Sequence, residues 1–175
     1  MKTLLFLLFT TALIAGCNSA EAQSPPHGKV IHIIDGDTYD ILLDNHTTKR
    51  IRMEGIDAPE RGMPFYKLSK NYLSRLCFGA AVSIETTGKD RYGRTLAKTW
   101  LATGKEAGLL MVEAGYAWHF KKYSTDIQLA NAALKARKNK LGLWAEKSAM
   151  APWAWRKNKI NINRAKMKLN KFHAA

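Results

Sequence analysis

Between Lys29 and Met53 the chain fits three short β-prone runs separated only by tight turns. Lys29–Ile34 (KVIHII) is broken by Asp35-Gly36-Asp37, and Thr38–Leu43 (TYDILL) by Asp44-Asn45-His46. Thr47–Met53 (TTKRIRM) then alternates, with Ile51 and Met53 on one face and Arg50 and Arg52 on the other. Breaks this short leave no length for a crossover, so the runs form a meander. Two further runs follow, Ala81–Glu85 and Arg94–Leu101, joined by a polar turn over Thr87–Gly93. Between the third and fourth strands the spacing predicts a helix from Pro64 to about Cys77, with Phe65, Leu68, Tyr72, Leu73 and Leu76 as its apolar stripe. After Leu101 the period changes again. Lys105–Ala114 reads as a short helix with Ala107, Leu110, Met111 and Ala114 inward, closed by Gly115. Tyr116–Tyr123 reads as aromatic loop or extended chain. Ser124 or Thr125 is the expected cap of a last helix with the stripe Ile127, Ala130, Leu134, Arg137 (stem only) and Leu141, ended by Gly142. The expected fold class is α+β: a five-stranded Greek-key β-barrel of the OB-fold type packed by three α-helices.

Composition places limits on what surrounds this barrel. Lys plus Arg number 28 against 14 Asp plus Glu, a net charge of +14, which points to a polyanionic partner, either nucleic acid or an anionic membrane surface. An apolar fraction of 46% excludes wholesale disorder, and two cysteines exclude a disulfide scaffold. Residues 1–16 (MKTLLFLLFTTALIAG) have the form of a signal peptide, too short an apolar run for a comfortable transmembrane helix. Leu13-Ile14-Ala15-Gly16-Cys17 resembles a lipobox, making Cys17 the candidate lipidated residue of an exported envelope lipoprotein, with the outer membrane favoured by Asn18. A competing cut after Ala22, in Ala20-Glu21-Ala22, gives a soluble exported protein instead. Residues 17–26 then form a tether, 27–156 the domain, and 157–175 a mobile basic tail. Cys77, in an apolar series, is expected as a buried hydrophobe. Trp153 and Trp155 are expected to pack back on the barrel or last helix, and the protein to be a monomer.

Three segments carry the chemistry: Asp35-Gly36-Asp37-Thr38 at a strand junction, Arg52 through Asp57-Ala58-Pro59-Glu60, and Asp90-Arg91-Tyr92-Gly93-Arg94. Each brings carboxylates or guanidiniums to a barrel rim. Phosphodiester hydrolysis needs charge on the phosphoryl oxygens offset, a water relieved of a proton and the leaving oxygen stabilised. Asp37 and Asp57 offer oxygen ligands to a hard divalent cation such as Ca²⁺, and no His/Cys cluster suits zinc. Arg52 and Arg94 offer planar, multi-donor phosphate contacts. Glu60, beyond rigid Pro59, is the candidate general base.

Taken in this order, the segments resemble the thermonuclease family of staphylococcal-nuclease-like domains. The likeness runs from about Lys29 to Trp144 and extends to Val112-Glu-Ala-Gly115-Tyr-Ala-Trp118 and Gly142-Leu-Trp144. It implies a Ca²⁺-dependent endonuclease that hydrolyses DNA and RNA with little sequence preference and leaves 3′-phosphate ends. It also implies a backbone carbonyl of Ala58 as a further metal ligand, Asp35 as the acidic neighbour of the metal pair, and Tyr92 as a nucleotide contact. Tyr123 and Lys121 stand where the staphylococcal type has two tyrosines, although a packing role for Tyr123 is equally open. The long Lys-rich loop of that type is missing after Glu60. A non-catalytic nucleic-acid-binding OB module of the envelope is the alternative.

Overall fold

The computed structural model describes residues 25–173, with side chains to 167. The signal segment, Cys17 and the tether up to residue 24 lie outside the described residues. Five strands close into a barrel: β1 (His27–Ile33), β2 (Thr38–Leu43), β3 (Thr48–Met53), β5 (Ala81–Lys89) and β6 (Thr95–Leu101), in the order β1-β2-β3-β6-β5. The meander β1-β2-β3 is antiparallel, β5 closes on β1, and β3 and β6 run parallel. Alternation sets which faces are buried. Tyr39 and Ile41 of β2, and Ile51 and Met53 of β3, point into the barrel, while Arg50 and Arg52 do not. Fully burying a side chain such as Ile51 contributes about 2 kcal/mol. The Tyr39 hydroxyl, also buried, is satisfied by Thr99 Oγ1 at 2.7 Å.

A second, two-residue ladder lies outside the barrel. β4 (Ile56–Asp57) pairs antiparallel with β7 (Trp118–His119), setting Asp57 opposite Trp118. The aromatic stretch after Gly115 therefore supports the Asp57 backbone. α1 (Tyr66–Cys77), α2 (Ala107–Glu113) and α3 (Ile127–Lys138) cover the barrel.

The structure corrects the expected elements in several places. α1 starts at Tyr66, because Phe65 adopts φ 64° and cuts Pro64 off from the helix. Strand β5 continues to Lys89 through a register shift between Thr86 and Gly88, so the turn is confined to Asp90–Gly93. α3 is capped by Asp126, whose carboxylate accepts from the N–H groups of Gln128 (2.8 Å) and Leu129 (3.3 Å). Its buried face is Leu129, Ala132 and Ala136, while Ile127 and Leu134 are exposed. α3 lies close against the chain at Gly55, where a Cβ would stand 2.7 Å from Leu129 Cδ1. On α2 the buried residues are Ala107, Gly108, Met111 and Val112, so the expected inward positions Leu110 and Ala114 give way to Gly108 and Val112. Among the described residues the α-helices number four. α4 (Pro152–His173) takes in the basic tail and runs through the expected boundary at residue 157 as one helix. Lys, Arg and Met are good helix formers, so a charge run that reads as a mobile arm is helical here. Trp153 and Trp155 do pack back. Trp153 stacks on Phe120 with centroids 5.1 Å apart and planes 2° from parallel, and Trp155 lies over Gly62. Among the described residues no helix is long and apolar enough to cross a membrane.

Candidate active site

The three chemistry-bearing segments meet at one rim because the meander register brings them there. Thr38 stands opposite Arg52 in the β2–β3 ladder, which sets the Arg52 guanidinium beside Asp37. The Asp37 carbonyl accepts from the N–H of Met53 at 2.8 Å, pinning the β1–β2 turn to the end of β3. Gly36 is required in that turn. A Cβ there would fall 1.9 Å from Ser69 Oγ and 2.8 Å from Ala58 Cβ. The glycine of Asp35-Gly36-Asp37 thus lets α1 and the Ala58 loop close against the turn that carries Asp37.

Arg52 joins the two buried carboxylates. Its Nε lies 3.2 Å from Asp37 Oδ1 and its Nη2 3.1 Å from Asp57 Oδ1, while Nη1 donates to the Met53 carbonyl at 2.7 Å. Asp37 is satisfied further by the Ala58 N–H (2.6 Å) and the Thr38 hydroxyl (2.9 Å). Asp35 accepts the Asp37 N–H at 3.0 Å. Burial, and then the neighbouring Asp37 charge, push the Asp35 carboxyl up to about 7. Burial also raises Asp57, against hydrogen bonding from Arg156 that favours its charged form.

Arg94, just before β6, is aimed by its own turn. Asp90 Oδ2 accepts its Nε at 2.7 Å, and Asp90 Oδ1 accepts the backbone N–H groups of Tyr92 (2.8 Å) and Arg94 (3.0 Å). Against a burial cost, these bonds hold the Asp90 carboxyl below its ordinary value. Arg94 Nη1 reaches the Thr38 hydroxyl at 3.5 Å, which ties this guanidinium to the side of the site that holds Asp37. Glu60 sits on the turn closed by the Met63 N–H to Glu60 carbonyl bond, 2.9 Å.

Of the expected site residues, Asp35, Asp37, Arg52, Asp57, Ala58 and Glu60 converge, and Arg94 joins them through Thr38. Tyr92, Lys121 and Tyr123 are not in that cluster. They line the groove, of about 1660 Å³, onto which the cluster opens. The Tyr92 ring has Arg91 at 4.9 Å and Arg94 at 5.6 Å from its centroid. Tyr123 meets Phe120 edge-on at 4.9 Å. Both tyrosines are about two-thirds exposed, at 69% and 67%, and Lys122 stands over the Tyr123 ring at 5.3 Å.

One residue of the cluster was not foreseen. Arg156, in the first turn of α4, places Nη2 2.6 Å from Asp57 Oδ2 and Nη1 2.6 Å from Glu60 Oε1. The signal was present in the two tryptophans that precede it, which dock the helix start beside the rim.

The donor set suits a hard cation. Asp37 and Asp57 are close enough for one guanidinium to span both, and their ligating atoms are all oxygen. Among the described residues no group of three or more His, Cys, Asp or Glu side chains is clustered as a metal set. Two carboxylates leave most of a coordination shell to water, backbone and substrate.

Buried acids bridged by guanidiniums thus stand on the rim of an OB-type barrel that opens on a basic, aromatic groove. The chain belongs to the family of staphylococcal nuclease homologues, whose model matches residues 50–146. It is 36% identical over 133 residues to an uncharacterized endonuclease of Escherichia coli O157:H7, covering 76% of this chain and 86% of that one. A micrococcal nuclease of Shigella flexneri is 36% identical over 153 residues, covering 82% and 87%. An uncharacterized endonuclease of Haemophilus influenzae is 35% identical over 163 residues, covering 93% and 88%.

Proposed function

We propose that this chain is a Ca²⁺-dependent endonuclease that hydrolyses phosphodiester bonds of DNA and RNA with little sequence preference and leaves 3′-phosphate ends. The observation that carries this reading is the Arg52 guanidinium spanning Asp37 and Asp57 on the rim shared with Glu60 and Arg94. Asp37, Asp57 and the Ala58 carbonyl would hold the ion, which when bound supplies positive charge against the phosphoryl oxygens. Arg52 and Arg94 bind the phosphate by planar donor pairs and offset the charge that builds on it. Glu60 takes a proton from the attacking water as the new O–P bond forms and the bond to the 5′ oxygen breaks. The leaving 5′ oxygen takes a proton from solvent water, and Glu60 releases its own proton to solvent. Tyr92 and Tyr123 offer stacking faces to any base, and Lys121 adds charge along the groove. None of these contacts reads base edges, which is why sequence preference is weak.

The test is incubation of the purified chain with plasmid and single-stranded DNA, with Ca²⁺ and with chelator, followed by identification of the product ends. Cutting that depends on Ca²⁺ and yields 3′-phosphates supports the proposal. A gel shift without cutting would replace it with a binding module.

A further inference from the structure

Arg156 holds oxygens that the proposed ion would need. Its Nη2 takes Asp57 Oδ2 at 2.6 Å, and its Nη1 lies 2.6 Å from Glu60 Oε1 and 3.3 Å from Asp57 Oδ1. Asp57 Oδ1 also accepts from Arg52 Nη2 at 3.1 Å, so both oxygens of this buried carboxylate are engaged by guanidiniums. A divalent cation cannot settle on Asp57 Oδ2 while Arg156 Nη2 holds that oxygen at 2.6 Å, because the two positive groups would repel strongly. Of the two guanidiniums, Arg52 is the fixed one. It is 11% exposed, sits at the end of the β2–β3 ladder opposite Thr38 and is tied to Asp37 and the Met53 carbonyl as well. Arg156 is 40% exposed and makes its ion pairs only with Asp57 and Glu60 among the described residues.

The helix that carries Arg156 is anchored without it. Trp153 stacks on Phe120, Trp155 lies over Gly62 and Pro152 is buried. The guanidinium can therefore leave Asp57 by side-chain rotation while the start of α4 stays seated.

We infer that Arg156 is a positioning residue of this site: it bridges Asp57 and Glu60 while the ion is absent, and yields Asp57 to the incoming divalent cation. The Arg156 bridge and the ion are then mutually exclusive, and opening the bridge also frees Glu60 to accept a proton. This rests on the cation reading given above.

The experiment is calorimetric titration of Ca²⁺ into the full chain as wild type, Arg156→Met and Arg156→Lys, with melting curves of each in chelator and in saturating Ca²⁺. Removing a bidentate, charge-assisted competitor should tighten Ca²⁺ binding by about fivefold or more in Arg156→Met. Arg156→Lys keeps the charge but loses the fork, and should fall between the two. In chelator Arg156→Met should melt below wild type, because Asp57 and Glu60 lose their bridge, and the gap should narrow in Ca²⁺. Equal or weaker Ca²⁺ affinity in Arg156→Met overturns the inference alone. No Ca²⁺ uptake by any of the three proteins overturns the cation reading, and this inference with it.

Discussion

Arg52 and Arg156 both reach Asp57, and they hold it by different architecture. Arg52 comes from the rim end of a barrel ladder, nearly buried, with Asp37 as its second carboxylate. Arg156 comes from the start of a helix that projects away from the barrel, and its second carboxylate is the half-exposed Glu60. A charge supplied by the barrel is part of the framework, because removing it leaves buried acids uncompensated. A charge supplied by the helix is exchangeable, because water or an ion can take its place.

The hardest way to break this contrast is Arg52→Ala. It leaves Asp37 and Asp57 buried side by side, and should cost about 3 kcal/mol in urea denaturation, as breaking a buried pair does. Cleavage should fall by at least about 1000-fold, since one of the two phosphate guanidiniums is lost along with the geometry of the acid pair. Arg52→Lys should recover little, because an ammonium cannot span two carboxylates. Near-normal activity in Arg52→Ala would remove this residue from the site.

Glu60→Gln probes the exposed side. Cleavage should drop at least about 100-fold through loss of the base, with the melting temperature nearly unchanged. Chemistry and stability thus separate at Glu60 and are lost together at Arg52. A variant that cut at the wild-type rate would assign the base elsewhere.

How far each half could be read from sequence follows the same division. The barrel half was legible because its signals are local. Tight turns fix the meander, Asp35-Gly36-Asp37 marks the break between its first two strands, and alternation sends Arg52 outward between Ile51 and Met53. The helical half was not. Arg156 meets Asp57 across 99 positions of chain, and its charge is lost among the other basic residues of its segment. The face of α3 misled for a related reason. Large Ile127 and Leu134 share a helical spacing, yet close packing selects Leu129, Ala132 and Ala136. Periodicity identifies a helix more readily than it identifies which of two apolar faces the neighbours leave room for.

Trp153→Ala sharpens the contrast from the side of α4. Losing the stack on Phe120 should cost about 1 to 2 kcal/mol, tempered because the ring is 39% exposed. It should also loosen the Arg156 bridge, moving Ca²⁺ affinity toward that of Arg156→Met. Unchanged melting would mean that α4 is held by other contacts.

A third buried acid shows what happens with neither kind of guanidinium. Glu106 is buried beside Lys98, and burial pushes its carboxyl from 4.5 up to about 7, against the pull of that lysine and with the charges of Asp126 and Glu54 adding to the rise. The folded protein therefore keeps a proton that the unfolded chain releases. Stability from this group is fully present below about pH 4.5 and is lost as pH rises through about 7, above which both states are ionised. Glu106→Gln stays neutral throughout, so this slope disappears. Relative to wild type, the variant should be more stable at pH 8 than at pH 5.5 by about 1 to 2 kcal/mol, read from urea melts at both values. Arg52→Ala should leave that difference intact, because Arg52 is not among the charges that act on Glu106. A Glu106→Gln difference independent of pH would show that Lys98 alone compensates this carboxylate, and that a guanidinium is not what distinguishes the acids of the rim.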